Sequence, residues 1–328
     1  MHDSVAVLLL TSLLLVPAMA RAQPAVKIEK AAYKGWPNCY RMTNGLVELI
    51  LTSDVGPRVI RFGFVGGDNE FKEYAEQLGK GGEKQWSIRG GHRIWIAPES
   101  QKSTYALDNS PIEVRTDNNR LYAIQPVDSA GVQKEMEIRM AAGAPRVEIL
   151  HRIRNKNKSA LEFAPWVLTV LAPGGRAIIP MPPRGPHPQV LEPTHPLVLW
   201  AYTDFRDKRW TLGFKYISLQ QDPKAKSPQK AGALVPDGWG AYARSGNLFI
   251  KKFGVTKNAV YPDFGSSIET FTNADMLELE TLGPLTKVAP GAAVEHTERW
   301  WLYKGVSLAT ADDEAIDRAV LPRVRESK

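Results

Sequence analysis

The chain has 328 residues, 43% hydrophobic and 23% charged, with a formal net charge of +7, which is the make-up of an ordinary globular protein. Cys39 is the sole cysteine, so an intramolecular disulfide is excluded and stability has to come from a buried core. The basic residues are dispersed, and the densest run, Arg152 to Lys158, reads as a strand end entering a turn; no organised basic stripe supports a nucleic-acid partner.

An apolar run from Val5 to Val16 is followed by Pro17 and the small-residue pattern Ala18-Met19-Ala20-Arg21-Ala22. This predicts a secretory signal peptide over residues 1–22, cleaved near Ala22, with residues 23–328 forming a single periplasmic or secreted domain. The early region lacks Lys and Arg, so an uncleaved anchor is the alternative. No later segment approaches the roughly 20 apolar residues that span a bilayer.

Next come short β-rich runs separated by Gly, Pro, Asn and Asp. Asn44-Gly45 precedes Leu46 to Thr52, and the turn Asp54-Val55-Gly56-Pro57 leads into Arg58 to Phe64, a meander pattern. Further strands are predicted over 121–127, 132–140, 146–155, 161–171, 212–219 and 239–244, the last pairing with 248–253 across Ser245-Gly246-Asn247. The Pro-rich interval 172–196 predicts no element. Strands over 267–272, 276–282 and 295–303 follow, and only the tail, 310–324, reads as a helix. Many strands without alternating helices predict an all-β fold, a large antiparallel β-sandwich closed by a short C-terminal helix.

The stretch Phe271-Thr272-Asn273, Leu279-Glu280-Thr281, Pro284, Pro290-Gly291 and Arg299-Trp300-Trp301-Leu302-Tyr303 resembles, in that order, the closing strands of galactose mutarotases and their relatives. The opening meander is similar to the family's first strands, and Arg89-Gly90-Gly91-His92-Arg93-Ile94-Trp95 loosely resembles its sugar-binding segment. The likeness is closest to an exported bacterial branch of the mutarotase-like (aldose epimerase-like) superfamily. It implies a supersandwich fold, a carbohydrate ligand and no cofactor. In that family the Glu of Leu-Glu-Thr takes a proton from the anomeric hydroxyl while a His protonates the ring oxygen. Glu280 matches the first role. The family's acid strand reads Phe163-Ala164-Pro165-Trp166-Val167-Leu168 here, without a His.

Strand periodicity puts Glu278 and Glu280 on one face and Leu277 and Leu279 on the other, which suits carboxylates in a cleft over a leucine core. Glu269 is expected across a hairpin from Glu278, where like charges need an arginine, a sugar hydroxyl or a cation to relieve them. His92, beside Arg93 in a Gly-rich loop, is the candidate acid; His151, on an apolar strand face, reads as a satisfied core histidine. His296, His187 and His195 read as locally bonded or exposed. Arg93, Asn273, Trp95 and Trp210 complete the expected sugar-binding set, with Trp200 and Trp239 also near turns or strand ends. No pair of histidines has metal-ligand spacing, so no metal is assigned. The expected protein is a monomeric carbohydrate binder with epimerase activity centred on Glu280. Noncatalytic recognition of a glycan or envelope polymer, and a polysaccharide lyase or glycoside hydrolase, are the alternatives.

Overall fold

A strand whose side chains alternate between apolar and polar can bury only one face, so sheets of such strands stack. In the computed structural model, which describes residues 25–327, two large sheets do so. The segment read as a signal peptide lies outside the described residues. The first sheet, eleven-stranded, runs Lys27–Tyr33, Trp36–Thr43, Val47–Thr52, Arg58–Phe64, Gly91–Ala97, Leu161–Leu171, Leu277–Leu282, Ile268–Thr272, Gln229–Ala233 and Leu197–Leu199. Thr286–Val288 pairs with Leu161–Leu171 beside that path. The second, ten-stranded, runs Trp210–Leu212, Tyr216–Gln220, Arg176–Pro180, Trp239–Arg244, Asn247–Phe253, Ala293–Lys304, Arg146–Asn155, Val132–Met140, Arg120–Ile124 and Glu113–Asp117. The pairings are antiparallel, as an all-β meander requires.

The inward rows of both sheets form the main core. Val132–Met140 shows the alternation without a break, burying Val132, Lys134, Met136, Ile138 and Met140 while the intervening residues are partly exposed. At the centre Phe62, Phe71, Phe249 and Trp300 pack edge-on or tilted with ring centroids 5.5–6.0 Å apart. The outer face of the second sheet is covered by the C-terminal segment, where Ile316, Val320 and Val324 pack on Ile178, Leu248 and Ile250.

Three readings of the sequence are corrected. The single strand expected over 212–219 is a hairpin, Trp210–Leu212 and Tyr216–Gln220, because Asp313 accepts hydrogen bonds from the backbone N–H groups of Phe214, Lys215 and Tyr216 and holds the turn. A Cβ at Gly213 would lie 2.1 Å from an Asp313 carboxylate oxygen, so any larger residue there would displace that carboxylate. The Pro-rich interval contains the buried strand Arg176–Pro180, whose proline comes last, where a missing N–H costs little. The tail forms two short helices, Asp313–Ala319 and Leu321–Glu326, divided where Pro322 cannot continue the first.

Candidate active site

The outer face of the first sheet carries a cavity of about 320 Å³. Strand parity builds its floor. In Gly91–Ala97, Arg93 and Trp95 point outward while His92, Ile94 and Ile96 point into the sandwich. In the ladder Arg93 pairs with Leu168, Leu168 with Glu280, and Glu280 with Glu269, one row across four strands. The loop into this strand is tight: Gly90 and Gly91 have φ of +87° and +70°, and a Cβ on Gly90 would sit 1.9 Å from the Lys72 carbonyl oxygen. The close approach these glycines permit is to the protein's own backbone.

The walls are aromatic. Trp86, Trp95 and Tyr105 form one cluster with centroids 4.9–5.4 Å apart, and Trp166 joins it at 5.3 Å from Trp95. Trp200, Tyr202 and Phe271 line the other side. Two cations sit between these rings. The Arg93 guanidinium lies 4.3 Å from the Trp95 ring and donates to Glu278 at 3.1 Å. The Lys230 ammonium lies 4.6 Å from the Trp200 ring and 4.8 Å from that of Trp166. It reaches Glu269 at 2.8 Å and Glu280 at 3.1 Å.

Glu280 also accepts a hydrogen bond from the Trp166 indole N–H at 2.8 Å, and its Oε1 has no donor among the described residues. Arg93 Nε and Nη1 are likewise buried without an acceptor among the described residues. Burial, with repulsion from Glu280 and Asp263, pushes the Glu269 carboxyl well above the ordinary carboxylate range despite Lys230. Burial also raises Glu278, against the pull of Arg93. Lys230 is pushed up, because its carboxylates outweigh burial, and stays charged.

The expected residues therefore divide. Arg93, Trp95, Asn273 and Glu278 line the cavity; Asn273 spends its side-chain oxygen on the backbone N–H groups of Asp275 and Met276, shaping the turn at the rim. Glu280 and Glu269 lie fully buried beneath Lys230. Glu269 faces Glu280, not Glu278, and the group that relieves their repulsion is a lysine. Arg93 pairs with Glu278; Glu99 instead takes the Tyr105 hydroxyl. Trp210 is absent from the cleft: it is buried in the main core, its indole N–H donating to Gln229 at 2.9 Å. Trp239 is buried under the C-terminal helices. Trp200, read as standing near a turn or strand end, lines the cavity; Lys230, Trp86, Trp166 and Tyr202 were not in the expected set.

His92 is the largest correction. It is a strand residue facing the dry interior, where parity sends every side chain next to an outward one. Its Nε2 lies 2.7 Å from His151 Nε2 and its Nδ1 2.8 Å from the Thr169 hydroxyl. The His296 carbonyl can only accept, so His151 carries its proton on Nδ1 and offers Nε2 as acceptor. His92 then donates from Nε2 and accepts from Thr169. His296, read as locally bonded or exposed, is buried and bonded: it donates to Thr281, which donates to Glu298 at 2.6 Å. Glu298 also accepts from Trp300 at 2.7 Å and pairs with Lys251 at 2.7 Å. Burial drives all three imidazoles down, His151 to about 4 and His296 to about 3. Ligand atoms of His92, His151 and Glu298 gather within 4.8 Å, a cluster invisible to sequence spacing. A proton already joins the two rings and an ammonium already neutralises the carboxylate, so the network closes on itself.

No protein-family model matches the sequence, and no curated protein matches it. Solved structures do. A candidate aldose 1-epimerase from Klebsiella pneumoniae superposes with a TM-score of 0.57 at 11% identity, covering 92% of this chain and 87% of that one. A Synechocystis sp. PCC 6803 protein gives 0.53 at 14% identity over 84% and 99%. A galactose mutarotase-like protein from Lactobacillus casei gives 0.51 at 9% identity over 81% and 100%. The fold is galactose mutarotase-like. At these identities the likeness is one of fold, and within this mutarotase-like sandwich the strand expected to carry an acid histidine turns Trp166 and Leu168 to the cleft side.

Proposed function

We propose that the outer-face cleft binds a carbohydrate. The observation that carries this reading is the pairing of broad aromatic walls with ionic groups set between them: Trp95, Trp200 and Tyr202 offer flat apolar faces, while Glu278, Lys230 and Asn273 offer acceptors and donors at the cavity surface. Sugars present the same combination, an apolar ring face edged by hydroxyls. A glycan array probed with the mature protein, with hits confirmed by quenching of tryptophan fluorescence, tests it; a saturable response is expected, and none across the array would defeat the reading.

Epimerase activity is a second reading, favoured by one observation: Glu280 stands where the resemblance sets the base, with Oε1 lacking a donor. Lys230 and Trp166 both bond Oε2 and Glu280 is fully buried, so proton transfer through Oε1 requires the side chains above it to move aside. Recognition without turnover fits the observed arrangement better. Polarimetry of freshly dissolved aldoses separates the two, and acceleration above buffer that disappears in Glu280→Gln would establish catalysis. Export remains part of the proposal; envelope-derived protein is expected to begin near Gln23 by mass spectrometry, and an intact Met1 in the cytosol would oppose it.

A further inference from the structure

This inference rests on the carbohydrate reading and narrows it to a class of sugar. Arg93 and Lys230 are the cations at the cleft, and five carboxyl groups stand around them: Glu99 and Glu278 in the lining, Glu269 and Glu280 beneath Lys230, and Asp263 close to Glu269. Arg93 is committed to Glu278, and Lys230 is shared between Glu269 and Glu280. Burial raises three of the five, Glu269, Glu278 and Asp263, and the two cations are balanced only when all three hold protons; with any one of them ionised the cleft is net negative. The protein as a whole is basic, so this local surplus is a property of the cleft and not of the composition.

A ligand carboxylate or phosphate entering here would meet cations already paired with Glu278, Glu269 and Glu280, and a Glu99 carboxylate that has no cation partner among the described residues, in a setting where desolvation strengthens every repulsion. A ligand ammonium would meet the reverse. Indole and phenol faces of Trp86, Trp95, Tyr105 and Trp200 attract cations, as they already do for Arg93 and Lys230. Among the described residues Glu99 and Glu278 each accept one side-chain hydrogen bond, from Tyr105 and Arg93, and each keeps a second carboxylate oxygen for a charged donor.

We propose that the cleft recognises amino sugars, the protonated amine supplying the positive charge the cleft lacks, and that it discriminates against uronates and sugar phosphates. The amine seats between the Trp86–Trp95–Tyr105 cluster and the carboxylates of Glu99 and Glu278, with the ring against the aromatic wall.

Calorimetry at neutral pH with methyl glycosides in matched gluco and galacto series tests this, each series comprising the free amine, the neutral sugar, the N-acetylated amine and the uronate. The free amine is expected to bind about tenfold more tightly than the neutral sugar, the equivalent of one desolvated charge-assisted contact. N-acetylation should erase that advantage, and the uronate should bind most weakly. Glu99→Gln, at an exposed position, should narrow the gap between amine and neutral sugar. Neutral sugars binding as tightly as amines, or uronates binding best, would overturn the proposal and leave carbohydrate recognition standing. Absence of binding by every member of both series would overturn the carbohydrate reading and this one with it.

Discussion

Two groups of buried charges lie back to back across the first sheet, and they are built on opposite principles. Inside the sandwich, Glu298 meets Lys251, Thr281 and Trp300, and the rings of His92 and His151 each have a definite donor and a definite acceptor. On the outer face, Lys230 is divided between two carboxylates, Glu280 keeps an oxygen without a donor among the described residues, and Arg93 keeps two nitrogens without acceptors. A low-dielectric interior penalises each unmade bond by about 1–3 kcal/mol, so a polar cluster either closes or is completed by something else. The closed cluster is architecture; the open one is where we propose that a ligand binds.

The largest effect should come from breaking the closed network. Lys251→Met leaves the Glu298 carboxylate buried without its cation, and such a change costs about 3–5 kcal/mol. Urea unfolding reads it, and a loss under about 1 kcal/mol would dissolve the distinction between the two clusters. Lys230→Met at the cleft should cost less, about 1–3 kcal/mol, because Glu269 readily holds a proton and the cleft opens to solvent.

Acid should attack the closed network first. His151 is lowered from 6.5 to about 4 by burial, with Lys251 pushing it further down and Glu298 opposing. A base neutral in the fold and protonated in the unfolded chain contributes stability above about pH 6.5 and loses it as pH falls toward 4; for His151 the loss is about 3 kcal/mol. Glu269 acts in the opposite sense, its raised folded pKa withdrawing stability as pH rises above the usual carboxylate range. Histidine-detected NMR separates them: rings of His92, His151 and His296 should stay neutral at pH 5, and an imidazolium signal from any of them would contradict the tautomer chain.

Trp200→Ala removes one wall of the open cluster at modest structural cost, since the residue is only partly buried. Sugar affinity should drop about fivefold to thirtyfold, roughly 1–2 kcal/mol, and an unchanged Kd would remove Trp200 from the site. Smallest of all, Arg206→Ala should leave the unfolding midpoint and sugar binding where they were, because Arg206 and Asp204 form an exposed pair outside the cavity lining.

Much of the sandwich was legible because alternation survives in the sequence. The strands Val132–Met140, Arg146–Asn155 and Trp239–Arg244 coincide with the patterned runs. Parity also predicted Glu278 and Glu280 facing away from Leu277 and Leu279. Reading failed where long-range contacts decide. Glu269 meets Glu280 because the connecting turn occupies Asn273 to Met276, which shifts the pairing by two residues. His92 was taken for a loop residue because Gly90 and Gly91 look like loop sequence, although the following strand begins at Gly91. Lys230 carried a signal that went unused. It is the lone charge in the short run Gln229–Ala233, all of it buried, and a lysine in such a strand requires carboxylates from elsewhere in the chain.

The central claim, that the open cluster on the outer face is a sugar site, is tested most directly by a crystal structure of the mature protein with a sugar from the binding screen. The ring should stack on Trp95 or Trp200, with polar contacts to Lys230 or Glu278. Sugar density anywhere else, with this cleft holding solvent alone, would contradict it.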